Sequence, residues 1–258
     1  MVQLSQVLKR IIYHMGLYRA NGIPFKFTKL DAKDGFWRKT VADEYAWNFC
    51  YVLPSLKPTI SLDDVEIVVP NSLQMGWCKS PPLFCSGSEM ARDLMEKLRT
   101  MELPPRNFEA ITMEQFPLVD TYNTPYEKVT LSEVYVDNFI AMSNDLRHQY
   151  LLHTSRAMLH GIHAIFLPPA VTGHNSFDPI AEAKLCKGEG MWDITKELLG
   201  WEFDGHEGTI RLPLLKCKNI CTLLRKIFKK KRITLNLFQK IAACCLWLAK
   251  WSESFHLD

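Results

Sequence analysis

Apolar residues recur at helical spacing at the start of the chain and shift to strand-like runs soon after. Leu4, Val7, Leu8, Ile11, Ile12 and Met15 fall every three or four positions, one face of an amphipathic helix. Asn21-Gly22-Ile23-Pro24 ends it, since Gly and Pro interrupt regular backbone. Phe25 to Leu30 predicts a strand that delivers Asp31 at its C-terminal end. Asn48 to Leu53 and Glu66 to Val69 predict two more strands, with a polar turn around Lys57-Pro58 and Asp63-Asp64 between them. Pro81-Pro82 opens a helix to about Leu98, because a first-turn proline gives up no intrahelical hydrogen bond.

Thr100 to Tyr126, rich in Pro, Asn and Thr, predicts a long surface connection. Leu131 to Met142 predicts a hairpin turning at Asp137-Asn138, two residue types that tolerate left-handed backbone. A helix over Leu146 to Leu159, a short strand over Ile162 to Phe166 and a loop-rich insertion from Pro168 to Gly190 follow. Glu197 to Phe203 and Thr209 to Leu212 form a further hairpin through Asp204-Gly205. Two helices close the chain, Leu215–Phe228 and Leu235–Ala249, the second capped by Thr234. Strands interleaved with helices, with several hairpins among them, predict an α+β architecture.

Composition narrows the class. A chain of 258 residues, 47% hydrophobic and 23% charged, has the makings of a real core and excludes wholesale disorder. The apolar run Ile241 to Ala249 is nine residues, far short of the roughly 20 that cross a bilayer, and Met1-Val2-Gln3-Leu4 has no signal-peptide pattern. No membrane is expected, and the location is intracellular, in cytoplasm or nucleus. Eight cysteines without a C-x-x-C pair predict reduced, mostly buried thiols. Cys217 and Cys221 lack zinc-site spacing, and His160-x-x-His163 straddles a predicted helix end with no third ligand, which favours a structural role. There is no phosphate-binding loop of the G-x-x-x-x-G-K type and no serine-nucleophile elbow.

The net charge of +3 hides an asymmetry. From Arg211 to Asp258 there are 11 Lys and Arg against 2 acids, leaving 20 against 26 in the remainder. A segment this basic, centred on Lys229, Lys230, Lys231 and Arg232, suits a polyanion such as nucleic acid; the four-residue run alone reads rather as a solvated helix end plus a loop.

The acids are where chemistry concentrates. Asp31 and Asp137, 106 residues apart, each follow a short apolar run. Either alone is an ordinary cap or turn residue, whereas two strand-end carboxylates brought together make a Mg²⁺ site. Four motifs occur in order: Leu30-Asp31-Ala32-Lys33-Asp34-Gly35-Phe36-Trp37, Leu73-Gln74-Met75-Gly76-Trp77-Cys78-Lys79-Ser80-Pro81, Tyr135-Val136-Asp137-Asn138 and Leu198-Leu199-Gly200-Trp201. Together they resemble the reverse transcriptases of retroelements, closest to the long-terminal-repeat retrotransposon and retroviral type. The match runs from about Phe25 to Trp201, with a weaker continuation to about Ala242.

The resemblance implies a right-hand polymerase. Residues 1–24 are a lead-in helix and residues 25–210 a palm, an antiparallel sheet backed by helices. A second fingers segment spans about 40–73, and residues 211–258 form a basic, helical, thumb-like end. It implies template-directed deoxynucleotide addition on RNA or DNA template–primer, with two Mg²⁺ ions on Asp31 and Asp137. Asp34, Gly35, Phe36, Met75 and Gly76 would meet the nucleotide, Phe36 as the ring that excludes a 2′-hydroxyl. Leu199, Gly200 and Trp201 would grip the primer, and Lys79 with Lys229, Lys230, Lys231 and Arg232 would contact nucleic acid. Asn138 departs from the family's second aspartate, which removes a negative charge beside two dications and implies a severe loss of rate. About 24 residues before Phe25 are too few for the first fingers segment, and the end at Asp258 leaves no room for a ribonuclease H domain. The alternative is a non-enzymatic nucleic-acid-binding module that uses the basic C-terminal helices.

Overall fold

The computed structural model describes residues 4–19, 22–53, 65–113, 127–167, 178–228, 232–243 and 246. At its centre is a three-stranded antiparallel sheet in the order β1-β5-β4, formed by Lys26–Asp31, Asn138–Ser143 and Thr130–Tyr135. Strand side chains alternate between faces, and the register assigns each one. Leu30, Phe139 and Val134 share one face, while Phe27, Met142 and Leu131 share the other.

Both faces are covered, which is why Phe139-Ile140-Ala141-Met142 is an unbroken apolar run rather than an alternating one. On the first face lie α3 (Ser80–Leu98) and α4 (His148–Phe166), contributing Phe84, Ala91, Met95, Leu151, Met158 and Ile162 to one core. On the second lie α1 (Leu4–Arg19), through Val7, Leu8, Ile11 and Met15, and a second antiparallel sheet, through Leu198, Trp201 and Phe203. That sheet is the meander β6 (Thr195–Leu198), β7 (Trp201–Asp204) and β8 (Thr209–Arg211). Thus α1 is part of the core rather than a lead-in. Its Arg10 also pairs with Glu133, which is 3% exposed on β4, through a second bond of 2.6 Å from Nη2 to Oε2.

The remaining elements are short. They are a 3₁₀ turn at Gly35–Arg38, α2 (Asp43–Ala46), a 3₁₀ turn at Trp47–Phe49, the pair β2 (Tyr51–Val52) and β3 (Ile67–Val68), and α5 (Glu182–Leu185). The basic end supplies α6 (Leu214–Phe228), none of whose residues is buried, and a helix over residues 235–243. Thr234 caps the latter, its Oγ1 accepting the Leu237 N–H at 3.3 Å. The architecture is mixed α+β with antiparallel sheets, and among the described residues no helix is long and apolar enough to cross a membrane.

Several local expectations are corrected. The β4–β5 turn is Val136-Asp137, not Asp137-Asn138, because Asn138 is drawn into the ladder by partners on both sides, Tyr135 and Asp31. Ile162 to Phe166 is the end of α4, not a strand; Leu159, Ile162 and Phe166 continue its buried face, and burial overrides the strand preference of the isoleucines. Asn48 and Phe49 belong to a 3₁₀ turn rather than a strand. Glu197 to Phe203 is two strands, folded at Leu199-Gly200, where both residues have positive φ of 52° and 88°, as a I′ hairpin turn requires.

The predicted surface connection after Thr100 re-enters the core at Thr112 and Met113, and part of the predicted insertion does so at Ile180 and Leu185. Of the described thiols only Cys85 is buried; Cys50, Cys78, Cys186, Cys217 and Cys221 are exposed. The turn expected around 57–58 and 63–64 lies outside the described residues, as do the parts of those two connections at 114–126 and 168–177.

Candidate functional site

The site forms where β1 and β5 end together. Asp31 closes β1 opposite Asn138, the first residue of β5, and the Ala32 N–H donates to the Asp137 carbonyl at 2.9 Å. The strand end is pinned from its other side by the segment leading into α5. There the Lys33 N–H donates to Pro179 O at 2.8 Å and the Ala181 N–H to Asp31 O at 3.1 Å. All three motif residues are therefore assembled at one sheet end, Asp31 in register with Asn138 and Asp137 in the adjoining turn. The turn itself is strained, since Val136 is β-branched with φ 58°, and its packing against the core holds it there.

Asp31 is 3% exposed and sits among cations. Lys184 Nζ on α5 is 3.2 Å from Oδ1, and Lys29 Nζ is 3.7 Å from Oδ2. Lys29, two residues before Asp31 on the same face, also lies 2.5 Å from Glu189 Oε2. Burial pushes the Asp31 carboxyl above its ordinary range, against the opposing charges of Lys29 and Lys184. Burial also raises Glu189, but the hydrogen bond and charge of Lys29, the charge of Lys184 and a hydrogen bond with Asp31 outweigh it and hold Glu189 low. Lys29 in turn is destabilised by burial and more than restored by Glu189, Asp31 and Glu197, so it stays protonated.

The loop carrying Glu189 is fixed by Lys196 of β6, whose Nζ donates to Gly188 O at 3.0 Å, Met191 O at 2.7 Å and Asp193 Oδ2 at 3.0 Å. A cavity of about 400 Å³ opens beside this network, lined by Lys29, Asn138, Lys187, Gly188, Glu189, Lys196, Glu197, Leu199 and Gly200. The Leu199-Gly200 turn thus shares a cavity with Asn138, although the two lie on different sheets. Trp201 is buried behind it in the second core.

For a divalent cation the donors are of the right kind. Hard Mg²⁺ takes carboxylate oxygens, and those of Asp31 face Lys184 at 3.2 Å and Lys29 at 3.7 Å. Asp137 Oδ1 is engaged, accepting from Asn138 Nδ2 at 2.9 Å. Among the described residues no group of three or more His, Cys, Asp or Glu side chains is gathered for a metal. Asp31 and Asp137 bring two carboxylates to this sheet end, and Asn138 adds no anionic oxygen to them.

Other predicted residues stand apart from the cavity. Asp34 has left-handed backbone, φ 55°, heading the Gly35–Arg38 turn. Gly35 is pressed against Phe84, where a Cβ would meet Cζ at 2.6 Å, and Phe36 stacks on the same ring at 4.8 Å between centroids. Phe36 is therefore a core-edge aromatic. Met75 is exposed, Gly76 has φ 95°, and Lys79 is exposed at the foot of α3. Arg232 is exposed, and Lys229, Lys230 and Lys231 lie outside the described residues. His163 is buried inside α4 with Nε2 3.1 Å from Asp178 Oδ1, a structural contact.

Lys29, Lys184, Glu189 and Lys196 were not among the sequence candidates. Lys29 was within reach by alternation from Asp31, while nothing local marks Glu189 or Lys184, which come from a segment expected to be loop. No family model matches this chain, and no curated protein matches it.

Proposed function

We propose that this chain is the palm-bearing part of a retroelement reverse transcriptase, in a copy whose polymerase activity is strongly reduced. One arrangement carries the reading. Asp31 stands in register with Asn138 on an antiparallel sheet backed by helices, Asp137 occupies the turn beside them, and the Leu199-Gly200 hairpin turn shares a cavity with Asn138. That is the relation a polymerase needs between its acid pair and the loop that holds a primer end. In this reading residues 40–73 are the fingers remnant, α6 and the helix after it are thumb-like, and template–primer and deoxynucleotides are the ligands.

Asp31 and Asp137 would hold Mg²⁺, which when bound lowers the charge cost of bringing a primer hydroxyl to a triphosphate. The chain's own contribution is to bury Asp31, to fix the strand end through Ala32 and Ala181, and to present Asn138 where a second anion would strengthen the field. Substituting Asn138 by Asp adds that charge without altering side-chain size.

Primer extension on the purified chain tests this. Wild type is expected to bind template–primer with little extension, and Asn138→Asp to raise Mg²⁺-dependent extension measurably. Robust synthesis by wild type, unimproved by Asn138→Asp, defeats the impairment. Failure of both proteins to bind template–primer defeats the polymerase reading. Salt-dependent binding with no extension by either protein favours the nucleic-acid-binding module, which the unburied, basic α6 also suits.

A further inference from the structure

The helix α6 is two-sided. At about 3.6 residues per turn, Leu214, Cys217, Ile220, Leu224, Ile227 and Phe228 form one stripe along it, while Lys218, Asn219, Thr222, Arg225 and Lys226 occupy the opposite side. Leu215 falls among the polar residues. A stripe of this kind normally faces a core. Here no α6 residue is buried, none joins either core, and Phe228 is 87% exposed. The helix over residues 235–243 repeats the pattern, with Leu235 and Phe238 exposed on one side and Lys240 on the other. The first turn of α6 is anchored, because Lys216 Nζ pairs with Glu197 and donates to Gly200 O at 3.0 Å. One end is thus tied to β6 and the turn after it, while Phe228 at the other end stands in water.

Charge says what covers the stripe. From Leu214 to Leu246 the chain has nine Lys and Arg and no Asp or Glu. We propose that α6 and the helix over residues 235–243 are a docking surface for an anionic lipid bilayer, lying in the headgroup layer with their apolar stripes toward the acyl chains. Lys218 and Arg225 border the α6 stripe, so their aliphatic stems follow the apolar surface while their charges reach the headgroup phosphates. A nucleic-acid backbone would meet these cations but leave the stripe with nothing apolar to bury against. A second copy, stripe to stripe, would set two acid-free basic helices side by side, like charge against like. Spanning is a separate demand. Among the described residues no helix is long and apolar enough to cross a membrane, whereas lying on one asks only for an apolar stripe bordered by cations. None of the acids at the sheet end takes part, so the surface is independent of the polymerase reading.

Flotation of the full chain with phosphatidylcholine–phosphatidylserine vesicles, about two to one, against phosphatidylcholine alone is the test. Wild type is expected to float with the anionic vesicles and several-fold less with the neutral ones. Phe228→Gln and Leu235→Gln change side chains that no core uses, and each should weaken binding to anionic vesicles by about tenfold, the share one buried side chain of that size carries. Lys218→Gln combined with Arg225→Gln should weaken binding to anionic vesicles and leave the neutral ones unaffected. Thermal melts report folding for every variant. Absence of binding to anionic vesicles overturns the proposal. Binding that falls with the charge variant but ignores Phe228→Gln and Leu235→Gln also overturns it, because charge alone then accounts for the attraction. A dimer in sedimentation velocity that Phe228→Gln dissolves, without vesicle binding, assigns the stripe to a second copy instead. Template–primer affinity lowered by Phe228→Gln, again without vesicle binding, assigns it to nucleic acid.

Discussion

Asp145 lies just beyond β5 with its side chain 2% exposed, and its charge is met by Arg147 at 2.5 Å from Nη2 to Oδ2 and by Lys128 at 3.7 Å. Burial pushes its carboxyl up, but the hydrogen bonds and charge of Arg147 and the charge of Lys128 prevail and hold it below the usual range. A carboxyl depressed in the folded state stabilises the fold above its unfolded pKa, about 3.9, and that contribution is lost as pH falls through the folded value. Urea unfolding between pH 6 and pH 2 should therefore show stability declining below about pH 4. In Asp145→Asn that decline should be shallower and the stability at pH 6 lower. An unchanged acid limb in the variant would remove Asp145 as its source. The same logic separates Asp145 from Asp31. At Asp145 the cationic partners outweigh burial, whereas at Asp31 burial prevails over the charges of Lys29 and Lys184.

Between elements, α3 and α4 approach closely at Gly161 on α4. A Cβ there would lie 2.6 Å from Met95 Cγ and 3.0 Å from the Ala91 carbonyl oxygen on α3. Gly161→Ala sets two effects against each other. Helix propensity favours Ala by about 1 kcal/mol. Overpacking against backbone costs roughly 1–3 kcal/mol, and because the Ala91 carbonyl cannot rotate away, the clash should win. The expected outcome is a lower denaturation midpoint with an unchanged m-value; a more stable variant would show that the helices separate at little cost. The consequence reaches the site, since α3 and α4 form the floor beneath Leu30 and Phe139, the residues that precede Asp31 and follow Asn138 in their strands. The strained Val136 turn depends on that same core.

Over the whole molecule, charge is segregated. The basic end carries 11 Lys and Arg against 2 acids, and its helix α6 buries none of its residues, although Lys216 Nζ pairs with Glu197 and donates to Gly200 O at 3.0 Å. Such a surface binds polyanions by releasing counterions, with a log–log salt slope proportional to the phosphates neutralised. Replacing Lys229, Lys230, Lys231 and Arg232 by Gln should weaken binding to template–primer across sequences. It should also make the salt slope shallower, by about 1 for each cation that meets a phosphate. Fluorescence anisotropy between low and moderate salt measures both, and an unchanged slope would move the nucleic-acid surface elsewhere.

How much of this the sequence determined follows from the range of the forces involved. Local pattern fixed the opening helix, the β1 strand ending at Asp31, the start of α3 at its proline pair and the Thr234 cap, because each depends on neighbours within a turn or a strand. It also marked Asp31, Asp137 and Asn138, which meet at one sheet end, and the Leu199-Gly200 turn, which shares a cavity with Asn138. Tertiary structure decided the rest. The β4–β5 turn settled on Val136 because pairing with β1 drew Asn138 into the ladder, and α4 ran on through Ile162 because its buried face continued. The cation network around Asp31 was illegible for a plainer reason. Lys184 and Glu189 reach it only through chain that folds back more than 150 residues later, and no spacing rule spans such a distance.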